Sequence, residues 1–322
     1  MKYIVVVGLL LGSALATAVP RRSLVVESKL KLGAQPVDLA WQRDGRGIFV
    51  SLQASGVLLE IRHRHIARRA LIGRGLSGLA LAPDGRTLYA TVSHANQLVK
   101  IDTKTLRVEQ RVATCANPYG IKLSADGRFI AVACYNDAAL VLASTFDLRS
   151  QRRIAVCKHP YHPEITPKMQ RIYLTCYGSN ALALISLETR SRRGTLRASD
   201  LFPKLVKLVP VGKSPQGLSF SPDGKRIVVA NSTSDDISVL DLEGRQTRHV
   251  KVGRTPYFAL FSPSGDRLLV TNRFSNSLSV IGPGTQRAEI RVDRGGLVAR
   301  FSPNGRTLAI VHFDTGWLSL IE

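Results

Sequence analysis

The densest group of residues able to do chemistry is the stretch Cys157 to Thr166, CKHPYHPEIT, which sets His159, His162 and Glu164 around Tyr161 and two prolines. A histidine and a carboxylate so close together could support general acid–base work. With the cations Lys122 and Arg300, which hold the matching place in two other copies of a repeating unit, they could instead bind an anionic ligand. A plainer reading stands beside it: Lys122 and Glu164 form an ion pair, and His159 and His162 satisfy loop backbone groups. The chain shows no Ser-His-Asp order and no nucleophile elbow. Its seven histidines show no metal-ligand spacing, and Cys-x-x-Cys-His is absent. No catalytic residue is therefore assigned, and neither a metal nor a cofactor is expected.

Whatever these groups do, a repeat must position them. Gly212 to Val252 shows the unit: a Gly-x-x-Pro opening, an apolar run ending in Ser-Pro-Asp-Gly, a β-branched run, a polar loop and two further runs. Proline sets φ, aspartate bonds its own backbone and glycine accepts positive φ, so Pro222-Asp223-Gly224 closes a hairpin between alternating strands. Matching openings fall at Gly33, Gly73, Cys115, Cys157, Gly212, Gly253 and Asp293. The turn recurs as RDGR, PDGR, ADGR, PDGK, PSGD and PNGR, and only the fourth copy lacks it, with PKMQR there. A period of about 40 residues marks an array or a propeller. The fold expected is all-β, a seven-bladed β-propeller of four-stranded antiparallel blades.

These residues resemble the bacterial YVTN-type β-propeller repeat. Its pattern of Pro-Asp-Gly, a strand ending in Thr-Asn and a Val-x-Val-Ile-Asp strand is nearly met by RLLVTNRFSNSLSVI, Arg267 to Ile281. The resemblance covers almost the whole chain after its N-terminal segment and implies an exported seven-bladed propeller. It implies little about activity, because one scaffold hosts unrelated functions. Similar propellers include lactone-hydrolysing proteins, streptogramin lyases and the haem domain of periplasmic nitrite reductases, and none of their active-site sets matches this chain residue by residue.

Residues 1–18 carry one Lys2, an apolar run from Ile4 to Leu11 and Ala16-Thr17-Ala18, which reads as a cleavable signal peptide. A periplasmic or secreted protein is expected, with residues 19–322 forming one propeller domain. Ser23 to Leu32 reads as an outer strand with no blade before it, and the seventh copy stops after three strands. The N-terminal strand should complete that last blade, removing exposed edges. The fourth copy is the longest, and its excess should protrude as a basic loop at about 188–205.

The four cysteines recur in register, Cys115 with Cys157 and Cys134 with Cys176. In a hairpin, the start of the first strand neighbours the end of the second, so Cys115–Cys134 and Cys157–Cys176 are the simplest bridges. Pairing between adjacent blades is the rival connectivity.

Charge gives the clearest functional hint. Lys and Arg number 45 against 23 acidic residues, a net +22, and such a field attracts polyanions and anionic surfaces. Arginines cluster beside the first turns (Arg46, Arg86, Arg128, Arg306) and around the outer strands, with Arg68, Arg69, Arg152, Arg153, Arg190, Arg192 and Arg193 as candidates for an anionic partner. A basic lower face and rim is expected. Aromatic residues are not interleaved with these charges, so nucleic acid is disfavoured.

On the opposite face the opening loops and the second-to-third strand loops converge on the axis. They bring Asn117, Tyr119, His159, Tyr161, His162, Tyr257 and Phe258, with His94, Asn96, Tyr135, Asn136, Tyr177, Asn231, Asn272, Arg273 and His312 from the other loops. The ligand-binding candidates are His159, His162, Glu164, Lys122, Arg300, Tyr119, Tyr257, His94 and His312. Together these features favour a non-enzymatic exported binding or scaffold propeller, its partner a protein or a polyanion of the envelope, with a small molecule possible. The alternative is a propeller enzyme or redox accessory protein with its site around His162 and Glu164.

Overall fold

A computed structural model describes residues 24–190, 195–283 and 287–322; the expected signal peptide and the candidates Arg192 and Arg193 lie outside them. Among the described residues, seven four-stranded antiparallel sheets form the blades of a ring. The innermost strands, in blade order, are Pro36–Trp41, Leu76–Leu81, Pro118–Leu123, Pro160–Ile165, Pro215–Phe220, Pro256–Phe261 and Gly296–Phe301. Blade seven takes its outer strand from the N-terminal side: Val26–Lys31 pairs antiparallel with Trp317–Ile321, Leu30 opposite Leu318. The closure expected from the sequence is present.

The first turn forms as its residues dictate. Asp223 accepts from Lys225 N (3.0 Å) and from the Ser221 hydroxyl, and Gly224 N donates to Ser221 O at 2.8 Å with φ +66°. Blade four makes the same turn without glycine. Met169 takes the left-handed position at φ +56° and donates to Thr166 O (2.8 Å), so the fold imposes the turn on a residue with a Cβ at a cost of about 1–2 kcal/mol.

The excess in blade four is arranged differently from the expected loop. Its third and fourth strands lengthen to Ala181–Thr189 and Leu201–Pro210, pairing Thr189 with Leu201. Residues 188–189 and 201–205 therefore belong to strands. Leu196 and Leu201 are buried in the core shared with blade three, where Ser150 Oγ accepts from Ala198 N (2.8 Å). Apolar burial ties Leu196 and Leu201 to that core.

One position in each blade, the last residue of the second strand, faces the opening residue, and four chemistries occupy it. In blades three and four it holds the bridges Cys115–Cys134 and Cys157–Cys176, with Cα atoms 5.6 and 5.8 Å apart. In blades five and six Asn231 and Asn272 fill the space, so that a Cβ on Gly212 or Gly253 would sit 2.6 or 2.7 Å from the asparagine Cγ. Their amides donate to Asp236 (2.8 Å) and to Ser279 (2.7 Å). In blade seven His312 donates from Nδ1 to Asp293 O (3.0 Å) and accepts at Nε2 from Ser319 Oγ (2.8 Å). Leu52 and Val92 pack against Gly33 and Gly73 in blades one and two.

Burial holds the His312 pKa down at about 4. The unfolded chain binds this proton near pH 6.5, so between pH 6.5 and 4 the unfolded state holds more protons and stability falls as pH falls. The contribution is full above pH 6.5 and amounts to about 3 kcal/mol. His312→Asn, which copies the clasp of blades five and six, should flatten the fall in melting temperature between pH 7 and 4.5; an unchanged slope would assign the acid sensitivity elsewhere. Replacing Cys115 by Gly together with Cys134 by Asn should also cost less stability than replacing both by Ala, where about 3 kcal/mol is lost with a bridge of this loop length. Equal denaturant midpoints for the two variants would show that the position is not interchangeable.

Candidate functional site

The axis of the ring carries the convergent polar groups, and its geometry begins with a bulge in the innermost strand. Between Pro36 and Asp38, Leu76 and Leu79, Pro160 and Pro163, and Pro256 and Phe258 the register shifts, leaving backbone groups that need partners. A hydroxyl on the second strand supplies them. Thr175 Oγ1 accepts from His162 N (3.0 Å) and donates to Gln216 O in the next blade (2.6 Å). Thr271 does the same for Phe258 N (3.1 Å) and Leu297 O (2.6 Å). Ser51 and Thr91 repeat the arrangement in blades one and two.

At the mouth above the bulges, five tyrosines come together. Tyr119, Tyr135, Tyr161, Tyr177 and Tyr257 line a cavity of about 310 Å³ with Gln53, Asn117, Gln216, Arg273, Leu297 and Phe313. The Tyr257 hydroxyl lies 2.6 Å from that of Tyr161 and 3.4 Å from that of Tyr119. Blades three and four face blade six across the axis, so these phenols close the channel. Burial pushes the pKa of Tyr161 and of Tyr257 well above the usual phenol value, which keeps both protonated. Tyr135 stacks on His159 at 4.5 Å, and Tyr119 lies 4.6 Å from Tyr161. Arg273 is held by Asp314 (2.7 Å) and packs over Phe313.

The loops around this mouth are held in uncommon conformations. Gln35, Asn117, His159, Ser214 and Thr255, each just before an inner-strand proline, have φ between +50° and +56°. Side chains of neighbouring blades fix three of them: Asn96 accepts from Asn117 N (2.9 Å), Asn180 from Ser214 N (2.9 Å) and Asp235 from Thr255 N (2.8 Å). Strain retained in this way is characteristic of preorganised sites.

Lower in the channel, Lys122 and Glu164 form a bridge between blades three and four at 2.7 Å, and Arg300 bridges blade seven to Asp38 of blade one at 3.1 Å. Burial would raise the Glu164 pKa, but Lys122 and His162 together outweigh it and the value falls to about 2. A carboxylate held ionised in this way is a poor proton donor or acceptor at neutral pH. His162 is buried against Phe258, its Nε2 3.7 Å from Glu164 and without a hydrogen bond. Below these pairs opens a funnel of about 500 Å³. Among the described residues, no group of three or more His, Cys, Asp or Glu could hold a metal ion.

The structure therefore divides the expected candidates. Tyr119, Tyr257 and His159 belong to the mouth; His162, Glu164, Lys122 and Arg300 belong to the channel below it; His94 is exposed on the upper rim. Asn231, Asn272 and His312 are fully buried clasps rather than mouth residues. Of the rim arginines, Arg68 is bound to buried Glu60, Arg153 to Asp137 (3.0 Å), and Arg152 and Arg190 lie over the Phe202 ring. Arg69 is exposed on an outer strand.

A feature that sequence reasoning missed is a crown of cations on the upper face. The residue after each opening position is Arg74, Lys158, Lys213, Arg254 or Arg294 in five of the seven blades. All five are exposed, and none forms an ion pair with a described residue. Their signal was the register of the repeat, one step beyond the opening positions.

Removing one partner of a buried pair leaves the other charge uncompensated. Lys122→Met, which strands the buried Glu164 carboxylate, should lower the unfolding free energy by about 3 kcal/mol, and adding Glu164→Met should recover most of it. Urea midpoints of the single and double variants measure this, and a neutral Lys122→Met would remove the pair from the list of structural supports.

Comparison with known proteins agrees with this architecture. No curated protein sequence matches the chain. Kuenenia stuttgartiensis hydrazine synthase is similar in structure with a TM-score of 0.75 at 16% identity, covering 92% of this chain and 97% of that one. The β-propeller domain of Cps50 (Swd1) from Myceliophteria thermophila aligns with a TM-score of 0.74 at 12% identity, covering 93% and 99%. At such identities the likeness is one of fold alone. Residues 47–205 match the YNCE-like β-propeller family, and with seven closed blades this bears out the resemblance to the bacterial YVTN-type propellers.

Proposed function

We propose that this protein is a non-enzymatic binding propeller of the cell envelope that engages an anionic partner through its upper face. The observation that carries the reading is the crown: five exposed cations at one repeated position, unneutralised by described carboxylates, on a chain with 45 basic and 23 acidic residues. Fixed positive charge around a concave mouth attracts a polyanion and orients it. The lower face is a second candidate: Arg62 and Arg68 are drawn to Glu60 and Arg245 to Asp241, but Arg46, Arg86, Lys225 and Arg306 are exposed and form no ion pair with a described residue. Two disulfides suit an oxidising compartment, in keeping with the periplasmic or secreted location expected from residues 1–18. No described helix is long and apolar enough to cross a membrane.

The enzymatic alternative has less support, since Glu164 is committed to Lys122 at 2.7 Å and the Nε2 of His162 stands off at 3.7 Å from that same carboxylate.

Retention on immobilised heparin as a function of salt tests the reading. With about five charges neutralised, affinity should fall on the order of 100-fold between 50 and 200 mM salt. Absence of retention at low salt, or retention indifferent to salt, would overturn it.

A further inference from the structure

We infer that the tyrosine-lined mouth is a subsite for one acidic sugar residue of a glycan, the rest of which runs over the cationic crown. The inference rests on the anion-binding reading above and adds the site and the ligand class.

Size comes first. The cavity of about 310 Å³ lies at the lower end of the roughly 300–1,000 Å³ usual for small-molecule sites, which suits a single ring.

Hydrogen-bonding capacity comes next. The three phenols on the axis bring three hydroxyl hydrogens and make two mutual contacts, so one hydrogen remains to donate to a ligand while unused lone pairs accept. Gln53, Gln216 and Asn117 add amides around it, giving walls that both donate and accept. A ligand dense in hydroxyls meets that requirement better than a bare inorganic anion.

Charge selects further. Arg273 at the wall is already paired with Asp314, so the positive field comes from the crown around the mouth, and it prefers a carboxylate-bearing sugar to a neutral one. A stacked nucleobase fits less well. Tyr135 already lies flat on His159, with an interplanar angle of 8°, and Tyr119 lies against Tyr161. Ring faces are thus spent on each other. What remains for a ligand is hydroxyls and ring edges, and the edges carry the positive end of the aromatic quadrupole.

The test is calorimetric titration of the disulfide-bonded chain with tetragalacturonate, with maltotetraose as the neutral control and an oligothymidylate as the competing polyanion. Tetragalacturonate should bind at least 10-fold more tightly than maltotetraose. Tyr119→Phe keeps the ring and the packing but removes the hydroxyl with the longer contact in the cluster, 3.4 Å, and therefore the one freest to turn to a ligand; it should weaken binding about 10-fold with an unchanged melting temperature. The triple change Lys158→Gln, Lys213→Gln and Arg254→Gln should weaken it further and flatten its salt dependence.

If both variants bind tetragalacturonate like the parent, the mouth is not the site, and heparin retention then shows that the anion-binding reading stands without it. If tetragalacturonate fails while heparin is retained, the sugar class is wrong. Tighter, crown-dependent binding of oligothymidylate would replace the glycan by a nucleic acid. Failure of all three polyanions overturns both readings.

Discussion

The last two residues of the second strand bear on everything else in this ring. In Thr271-Asn272 the threonine hydroxyl ties the bulged inner strand to the next blade, and the asparagine fills the space beside Gly253. One residue acts between blades and the other within a blade. Without the first, the bulge at Phe258 would leave a buried N–H unpaired, a cost of about 1–3 kcal/mol. Without the second, the opening loop would lose the packing that fixes where it enters the inner strand. A motif that reads in sequence as a strand ending is therefore the joint through which blade geometry reaches the axis.

The mouth inherits its order from that joint. Tyr161 immediately precedes His162, whose backbone N–H is held by Thr175, and Tyr257 precedes Phe258, held by Thr271. The phenols thus meet across the axis from positions that hydroxyl bridges have already fixed. Three of the strained residues before the inner prolines are held in turn by Asn96, Asn180 and Asp235 from neighbouring blades. Those opening loops are set by the blades beside them, so the mouth is a property of the closed ring rather than of any one repeat.

How much of this was legible in the sequence follows from which contacts are local. Turn chemistry and a 40-residue period are local, so blade number, closure and the two bridges could be read directly. The asparagines and His312 were assigned to the mouth because strand alternation does not say which way the final residue points; only the space left by the facing glycine does. The channel pair Lys122–Glu164 was legible because both positions sit in register. The phenol cluster was only half visible, as a roster of tyrosines, since Tyr119 and Tyr257 meet across 138 residues of chain. Counting arginines near turns points to the lower rim but does not show which of them meet a carboxylate: Arg62 and Arg68 converge on buried Glu60, whereas Arg46, Arg86 and Arg306 stay exposed without an ion pair to a described residue. The blade-four insertion was taken for a loop because its polar residues conceal Leu196 and Leu201, which anchor it.

The placement of the clasps around the ring has a mechanical meaning. Blade seven is the seam, closed without a covalent link by pairing Val26–Lys31 with Trp317–Ile321, and it carries the clasp that depends on a neutral histidine. Blades three and four, each three steps from the seam in either direction, carry the covalent clasps. The ring is hardest to open opposite the point where it must close. Protonating His312 would loosen the opening loop of blade seven, while the bridged blades on the far side hold theirs covalently.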